Sequence, residues 1–204
     1  MSLRGEIRDA LRRFPRRGTR WSTRRRHGVQ PAAVAITVVT GGSGPAVLIT
    51  RRADSLRSHP GQYALPGGRI DPGETAADAA LRELAEELGI QLPPDSVLGL
   101  LDDYLTRSGY VITPVVVWAG ESDQPLRPQD AEVADVFAVP FADLDVDPVF
   151  VAIPESDRPV IRLPLRGGWL HAPTAAVLHQ FREVVLHRRH TRVAHLEQPV
   201  FAWR

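Results

Sequence analysis

Three glutamates in one short stretch, Glu83, Glu86 and Glu87, could together bind a metal ion. Side chains three and four positions apart on a helix are neighbours, so Glu83 would lie beside both of the others. Carboxylates are the hard oxygen ligands that Mg²⁺ and Mn²⁺ prefer. The cluster alone is more typical of an acidic, solvated helix face, since like charges at this spacing cost only about 0.2–0.5 kcal/mol per pair.

The helix that would carry these glutamates is marked at both ends. Thr75 and Asp78 have the spacing of a capping box, and Gly89 stands where a left-handed C-terminal residue is expected. The apolar positions recur at helical spacing and fall within a sector of about 60°. They are Ala77, Leu81, Leu84 and Leu88. The pattern predicts a helix over residues 74–90 with one apolar side.

Glu83 and Glu87 stand four positions apart, on a stripe that we predict to lie away from this apolar side. No basic residue of the helix is expected to pair with the stripe, because the nearby Arg82 can pair with Asp78 or Glu86 instead. The stripe could therefore meet a cation from outside the helix.

A segment rich in glycine and proline, residues 51–73, precedes the helix and predicts a long ordered loop. Loops of this length inside compact domains tend to be functional. The end of the segment, Pro66-Gly67-Gly68, could bring a backbone carbonyl close to a ligand because glycine has no side chain in the way.

Loop and helix together match one longer motif. From Gly68 to Ile90 the sequence fits G-x5-E-x7-R-E-U-x-E-E-x-G-U at each specified position, where U is apolar. This stretch resembles the Nudix box. The resemblance implies an α/β fold, a Nudix-type α/β/α sandwich with a mixed sheet and a loop–helix–loop catalytic box. It also implies a metal-dependent hydrolase that cleaves pyrophosphate linkages.

The resemblance assigns metal ligands. It implies that Glu83 and Glu87 are the main ligands of Mg²⁺ or Mn²⁺. Glu86 would be a further ligand or assist through a water, and Gly68 would offer its carbonyl oxygen. Divalent metals neutralise phosphate oxygens, lower the pKa of a bound water and align it for in-line attack.

Two further box residues have supporting catalytic roles in the resemblance. Arg82 would orient the carboxylates, and Glu74 would in turn hold Arg82. The general base lies either in the box or in a downstream loop, where Glu132 is one candidate. An acid in that position before a strand is more often solvated or holds a loop.

The segment before the box resembles the motif that precedes it in coenzyme A pyrophosphatases, L-L-T-x-R-[SA]-x3-R-x3-G-x3-F-P-G-G. Residues 48–68 follow this motif, with Ile49 in place of Leu and Leu65 in place of Phe. Residues 109–116 and 169–176 are similar to the same subfamily. The resemblance implies coenzyme A or acyl-CoA as substrate, with 3′-phosphoadenosine 5′-phosphate and 4′-phosphopantetheine as products.

Four residues of this upstream segment are candidates for substrate binding. Coenzyme A carries a pyrophosphate and a separate 3′-phosphate, and Arg52 and Arg57 could bind these anions, since arginine binds them bidentately. His59 and Gln62 could add hydrogen bonds. The alternative is that these are ordinary surface side chains.

Two other functions stay open from the sequence. The same chemistry could act on ADP-ribose, NADH or a nucleoside triphosphate. A Nudix-fold module that binds a nucleotide or nucleic acid without turnover is less favoured, because its box carboxylates would be degenerate and here they are intact. We therefore expect a small-molecule nucleotide as partner rather than a nucleic acid, and leave a homodimer open.

Around these motifs the sequence predicts a mixed α/β chain. Stretches of β-branched and apolar residues predict strands at 32–40, 46–50, 97–105, 110–118 and 133–139. The first two flank a glycine-rich turn and are expected to pair as a hairpin. Residues 174–190 have the pattern of a second long helix.

The N-terminal segment has a different composition. Ten of the 25 arginines lie within residues 1–26, against only two acids, and the chain contains no lysine. Apolar residues at helical spacing predict a short amphipathic helix over residues 3–14. We divide the chain into an Arg-rich extension, residues 1–30, and a hydrolase domain, residues 31–204. The extension is not expected to be needed for chemistry.

Composition excludes several classes of protein. The chain has no cysteine, which excludes disulfides and thiolate metal sites. No apolar run approaches the roughly 20 residues that cross a bilayer. No apolar stretch of a secretory signal follows the basic N-terminus. We therefore expect a cytoplasmic enzyme without a membrane segment.

Overall fold

The structure, a computed structural model, describes residues 2–18, 28–42, 44–56, 59–121 and 126–203. Within these ranges, eight strands form a mixed sheet and three form a small antiparallel sheet. The large sheet contains β1 (Gln30–Gly41), β2 (Gly44–Arg52), β3 (Tyr63–Ala64), β4 (Gly67–Arg69), β5 (Val97–Leu100), β6 (Tyr104–Leu105), β7 (Tyr110–Gly120) and β8 (Val133–Pro140). The small sheet contains β9 (Val149–Ile153), β10 (Ser156–Leu165) and β11 (Gly168–His171).

Helices occur between and after the strands. They are α1 (Leu3–Arg13), α2 (Ala76–Leu88), α3 (Phe141–Leu144) and α4 (Thr174–Phe181). A π-helical turn at Arg182–Leu186 continues α4, and short 3-10 turns occur at Pro94–Ser96 and Val200–Trp203. No helix in the described ranges is long and apolar enough to span a membrane.

The central strand β1 alternates its side chains between two helical layers. Ala33 and Ala35 lie in the apolar cluster that contains the buried side of α2. Ile36 and Val38 lie in the other cluster, which contains α1 and α4. Successive strand residues point to opposite faces, so β1 is buried on both sides. With β1 parallel to β7 and antiparallel to β2, the result is the predicted α/β/α sandwich with a mixed sheet.

The same side of β1 pairs with two different strands along its length. β2 pairs with the second half of β1, and β4 pairs with Ala32–Val34 in the first half. This exchange places Gly67 and Gly68 beside the central strand. A side-chain carbon at Gly67 would collide with the Ala33 carbonyl oxygen, so only glycine permits this close approach.

Both ends of α2 have the predicted caps. The Thr75 hydroxyl accepts a hydrogen bond from the Asp78 amide at 3.2 Å, and the Asp78 carboxylate accepts one from the Thr75 amide at 3.0 Å. Gly89 ends the helix in a left-handed conformation with a φ of 71°. The predicted hairpin and the N-terminal helix are confirmed as well, by β1 with β2 and by α1.

One predicted strand is interrupted by a buried acid. The strand expected over residues 97–105 divides into β5 and β6, with Asp102 between them. The Asp102 carboxylate accepts hydrogen bonds from Gln180 Nε2 at 3.0 Å and from Arg192 Nη1 at 2.8 Å. These side-chain bonds come from distant parts of the chain, so the local pattern did not show the break.

Three other expectations differ from the structure. The loop predicted over residues 51–73 contains the short strands β3 and β4, whose hydrogen bonds depend on pairing with β1 and β2. The helix predicted over residues 174–190 is α-helical only to Phe181 and ends at Leu186. The small sheet at residues 149–171 was not predicted at all.

Helix α1 packs against the large sheet. Ile7, Leu11 and Phe14 are at most 5% exposed and belong to the larger apolar cluster. A side-chain carbon at Gly99 in β5 would come within 2.9 Å of Leu11 Cβ, which shows how closely helix and strand approach. Residues 19–27 of the predicted arm lie outside the described residues, and the division of the chain at residue 30 stays a prediction.

We expect Leu11→Ala to lower the free energy of unfolding by about 2–5 kcal/mol, because it removes buried methyl groups and leaves a cavity. Denaturant unfolding would measure the change. The matched surface variant Arg12→Ala, which loses only an exposed ion pair with Asp9, should change it by less than about 1 kcal/mol. Equal stability of the two variants would show that α1 is not part of the core in solution.

Candidate active site

The glycine pair of β4 lies directly against the carboxylates of α2. A side-chain carbon at Gly68 would collide with the Glu83 carboxylate group. Glu87 Oε1 accepts a hydrogen bond from the Gly67 amide at 3.1 Å. Three of the four predicted metal ligands therefore meet at one place, although about fifteen residues or more separate the loop from Glu83 and Glu87 in the sequence.

Glu87 is buried, which corrects the prediction that it lies on a stripe away from the apolar side. It is 7% exposed and shares the buried side of α2 with Leu84 and Leu88. Burial raises the pKa of Glu87 to about 7, and the Glu83 carboxylate adds to the increase. Burial likewise raises the pKa of Glu83. Two carboxylates held out of water so close together favour a bound cation.

Arg82 connects both halves of the box. Its Nε donates to Glu74 Oε1 at 2.8 Å, and its Nη2 donates to the Arg69 carbonyl at 2.9 Å. Its Nη1 donates to Glu83 Oε1 at 2.8 Å and to Glu86 Oε2 at 3.1 Å. The bond from Arg82 holds the pKa of Glu74 below its ordinary value. Arg82 thus lies between Glu74 and the carboxylates of Glu83 and Glu86, and the catalytic roles of Arg82 and Glu74 stay predictions.

The expected pairing of Arg82 is confirmed in part. Its bond with Glu86 is present, whereas the Asp78 carboxylate is occupied by the Thr75 hydroxyl at 2.7 Å. The prediction that no basic residue of the helix meets Glu83 is wrong. The Arg82 guanidinium is drawn towards Glu83 because Glu74 and the β4 backbone hold it from the other side.

The donor set fits a divalent cation of the Mg²⁺ or Mn²⁺ type. It consists of carboxylate oxygens and, at Gly68, of a backbone carbonyl with no side chain beside it. In the part of the chain that the structure describes, no three acidic or histidine side chains are already arranged as a ligand set. Because Glu83 is bonded to Arg82, a bound cation would compete with Arg82 for that carboxylate.

A cavity of about 360 Å³ opens beside the glycine pair. Three of the predicted substrate-binding residues, Arg52, His59 and Gln62, line it. Burial lowers the pKa of His59, and the charge of Arg52 adds to this effect, so His59 is neutral near pH 7. A neutral imidazole can donate and accept a hydrogen bond. Arg57, the fourth predicted residue, lies outside the described residues.

Arg51 and Arg52 are adjacent in β2 but have different surroundings. Arg51 forms ion pairs with Asp135 at 2.7 Å and with Asp54 at 3.3 Å. Arg52 lines the cavity, and its buried Nε has no hydrogen-bond partner among the described residues. An unpaired buried donor is unfavourable unless a ligand accepts its hydrogen bond. Arg52 is therefore the better candidate for binding an anion.

Other walls of the cavity were not assigned from the sequence. Arg69 and Tyr110 line it, with Arg69 Nη2 donating to Tyr110 Oη at 3.0 Å. Gln198 and Ala202 line it from the C-terminal segment. A signal existed for Tyr110, which belongs to the stretch 109–116 that is similar to the coenzyme A pyrophosphatases. No motif pointed to the C-terminal residues.

Glu132, the candidate general base, lies close enough to influence the carboxylate cluster. Its side chain is exposed, and its charge contributes to the raised pKa of both Glu83 and Glu87. Its backbone carbonyl accepts a hydrogen bond from the Ala53 amide at 2.9 Å. The backbone of Glu132 thus holds the loop, and its role as a base stays a prediction.

Comparison with known proteins identifies the family. A family model described as NUDIX domain matches residues 29–163, which is well over half of the chain. The chain belongs to the Nudix family. The matched range includes the glycine pair, α2 and the strands β1 to β8 of the large sheet.

Curated relatives carry the same family name. A Yersinia pestis (strain Pestoides F) protein named Uncharacterized Nudix hydrolase NudL is 42% identical over 110 residues, which cover 53% of this chain and 54% of that protein. A Yersinia pseudotuberculosis serotype O:1b (strain IP 31758) protein of the same name matches equally. The chain spans about half the length of the curated relatives it matches, and their name specifies no substrate.

Solved structures share the fold. A Nudix hydrolase from M. Smegmatis, RenU, is 24% identical with a TM-score of 0.52, over 78% of this chain and 86% of that chain. A MutT/nudix family protein from Enterococcus faecalis is 15% identical with a TM-score of 0.53, over 92% and 74%. Likeness at these identities shows the fold alone, and it confirms the Nudix sandwich.

The raised pKa of Glu87 predicts a pH-dependent stability in the metal-free protein. The folded chain binds the Glu87 proton more tightly than the unfolded chain, so this contribution is complete below about pH 4.5 and is lost as pH rises through about 7. We expect Glu87→Gln to reduce this loss, measured by denaturant unfolding in the presence of a chelator. The same pH dependence in the wild type and the variant would contradict the burial of Glu87.

Proposed function

We propose that this Nudix protein is a metal-dependent hydrolase that cleaves the pyrophosphate linkage of a nucleoside diphosphate derivative. Its proposed substrate is coenzyme A or acyl-CoA, with 3′-phosphoadenosine 5′-phosphate and 4′-phosphopantetheine as products. The observation that carries the proposal is the contact of Gly68 with Glu83 and of Gly67 with Glu87, beside a cavity lined by Arg52. Oxygen ligands for a cation thus lie next to a donor for an anion.

The metal would be held by Glu83, Glu87 and the Gly68 carbonyl, with Glu86 as a further ligand. When bound, Mg²⁺ or Mn²⁺ supplies neutralisation of the pyrophosphate charge and activation of the attacking water. Glu86 is the more exposed of these carboxylates, with 56% of its side chain accessible against 15% for Glu83. This difference suits Glu86 to a supporting role at the mouth of the site.

The chain itself positions the reacting groups. Arg82 holds Glu83 in one orientation, and Glu74 holds Arg82 through two hydrogen bonds, at 2.8 and 3.2 Å. Arg52 would donate to the pyrophosphate, because it lines the cavity that contains the glycine pair and its Nε has no protein partner in the described residues. Glu132 is proposed as the group that accepts the proton of the attacking water.

Coenzyme A is favoured by the segment before the box. Residues 48–68 follow the motif of the coenzyme A pyrophosphatases, and they supply Arg52, His59 and Gln62 to the cavity. Coenzyme A needs two anion sites, one for its pyrophosphate and one for its 3′-phosphate. We assign the pyrophosphate to Arg52 and the 3′-phosphate to Arg57, with His59 and Gln62 as hydrogen-bonding partners.

We expect Glu83→Gln and Glu87→Gln each to weaken Mn²⁺ binding by about tenfold or more and to lower kcat by about 100-fold or more. Each change keeps the size of the side chain and removes the charge that the metal requires. Electron paramagnetic resonance of Mn²⁺ titrations would measure binding independently of turnover.

Glu155→Gln is the matched control, since it makes the same chemical change at an exposed position in the turn between β9 and β10. It should leave Mn²⁺ affinity and kcat within about twofold, as expected of a surface substitution. Wild-type Mn²⁺ affinity in both α2 variants would rule out the metal assignment.

A substrate panel tests the choice of coenzyme A. We expect kcat/KM for coenzyme A or acyl-CoA to exceed that for ADP-ribose, NADH and the nucleoside triphosphates by about tenfold or more, because only the former has a group for both anion sites. Mass spectrometry would identify the two products. Preference for another nucleotide would keep the chemistry and change the substrate, and nucleotide binding without hydrolysis would identify a binding module.

A further inference from the structure

The last residues of the chain form one wall of the substrate cavity. Gln198 and Ala202 line it, and both lie beyond residues 29–163 that the family model matches. The upstream motif and the box therefore describe only part of the cavity. The C-terminal wall is a feature of this chain that neither motif explains.

An ion pair between the exposed Arg107 and the buried Glu197 holds this segment in place. Glu197 is 3% exposed, and its Oε2 accepts hydrogen bonds from Arg107 Nη2 at 2.5 Å and from Ser156 Oγ at 2.9 Å. The Arg107 guanidinium also lies over the Trp203 ring, 4.8 Å from its centroid. Burial would raise the pKa of Glu197, but hydrogen bonds from Arg107, the Gln198 amide and Ser156 outweigh it and hold the pKa below its ordinary value. The carboxylate stays charged, and the segment is fixed at both ends.

Three of the four polar groups of Gln198 are used within the protein. Its backbone amide donates to Glu197 Oε1 at 2.9 Å, and its backbone carbonyl accepts from Trp203 Nε1 at 2.9 Å. Its side-chain Oε1 accepts from the Arg107 amide at 2.7 Å. A backbone amide can only donate, so the side-chain atom that it meets must be the carbonyl oxygen.

The remaining group of Gln198 is its side-chain Nε2. This amide has no protein partner in the described part of the chain, although Gln198 is only 2% exposed and lines the cavity. Unlike Arg52 Nε, this donor is not fully enclosed by protein, so a ligand in the cavity can offer it an acceptor in place of water. The Nε2 donor is therefore available to hydrogen-bond a ligand that enters the cavity.

Much of the cavity lining outside the glycine pair and the upstream segment is uncharged. It includes Tyr110, Ile112, Pro173 and Ala202, and Ser108 adds a hydroxyl, while Arg69 is bonded to the Tyr110 hydroxyl. Strand register separates this wall from the metal site.

Gly68 pairs with Ala33 and Tyr110 pairs with Gln30 on the two sides of β1. Three residues along a strand correspond to about 10 Å. A pyrophosphate bound beside Gly68 would therefore place one of its two substituents near Tyr110 and Gln198.

Building on the function proposed above, we propose that Gln198 is a specificity-determining residue whose Nε2 donates a hydrogen bond to the nucleobase of the substrate. A nucleobase is planar and uncharged, carries ring-nitrogen or carbonyl acceptors, and packs on aromatic and apolar surfaces. The pantetheine arm also has carbonyl acceptors, but it is flexible and loses more conformational entropy when it is ordered. In this proposal the C-terminal wall binds the nucleoside half of the substrate.

Two variants of Gln198 separate recognition from structure. Gln198→Glu keeps an oxygen that accepts the Arg107 amide and removes the Nε2 donor, whereas Gln198→Ala removes both. Ligand-observed NMR on the full chain would measure binding of adenosine and of pantetheine, neither of which has a phosphate. We expect adenosine to bind the wild type and both variants to weaken it by about 3- to 10-fold, the effect of one lost hydrogen bond. Gln91→Ala, at an exposed position outside the cavity, should leave binding unchanged.

Each outcome has a definite meaning. Weaker adenosine binding in Gln198→Glu, at a melting temperature close to that of the wild type, supports the proposal. Equal affinity in the wild type and this variant, or no saturable adenosine binding to the wild type, overturns it. Pantetheine binding with the same dependence on Gln198 overturns the nucleobase assignment. Since both probes lack phosphate, failure of hydrolysis would reject the proposed function and leave this result intact.

Discussion

The contact between the glycine backbone of β4 and the carboxylates of α2 is the constraint on which the site depends. Gly67 passes so close to β1 that a side chain would collide with the Ala33 carbonyl, and Gly68 passes as closely over Glu83. The same approach lets the Gly67 amide donate to Glu87. The sandwich thus brings a main-chain carbonyl and two buried carboxylates together without any side chain between them.

This arrangement concentrates negative charge in a buried place, and the fold compensates only part of it. Arg82 is hydrogen-bonded to Glu74, Glu83 and Glu86, so one positive charge meets three carboxylates. Glu87 receives one backbone amide, and burial raises its pKa to about 7. The remaining unfavourable charge is the physical reason why this site suits a cation, since a buried carboxylate without a counter-charge is costly.

The cavity beside these carboxylates is built from segments that are far apart in the sequence. β2 and the loop after it supply Arg52, the turn before β7 supplies Ser108, and the C-terminal segment supplies Gln198. Glu197, which is buried, joins the last two of these segments through an ion pair with Arg107. The cavity therefore draws on residues both inside and outside the range that the family model matches.

The sequence by itself determined the local features of this protein. The capping box at Thr75 and the left-handed end at Gly89 depend on neighbouring residues, and both occur where the sequence predicts them. The two apolar, β-branched strands and the glycine-rich turn of the hairpin are equally local. The stretch from Gly68 to Ile90 pointed to the family, because the family motif specifies residue types at fixed separations along the chain.

Only the tertiary structure decided which of these side chains are buried and what they bind. The helical pattern predicts that Glu87 is solvated, but β4 covers its side chain. β4 forms only because it pairs with β1. The Gln198 amide is a candidate donor because Arg107 holds its carbonyl oxygen from 91 residues away. Periodicity reports backbone geometry within one element, whereas burial and hydrogen-bond partners depend on contacts between elements that no local pattern encodes.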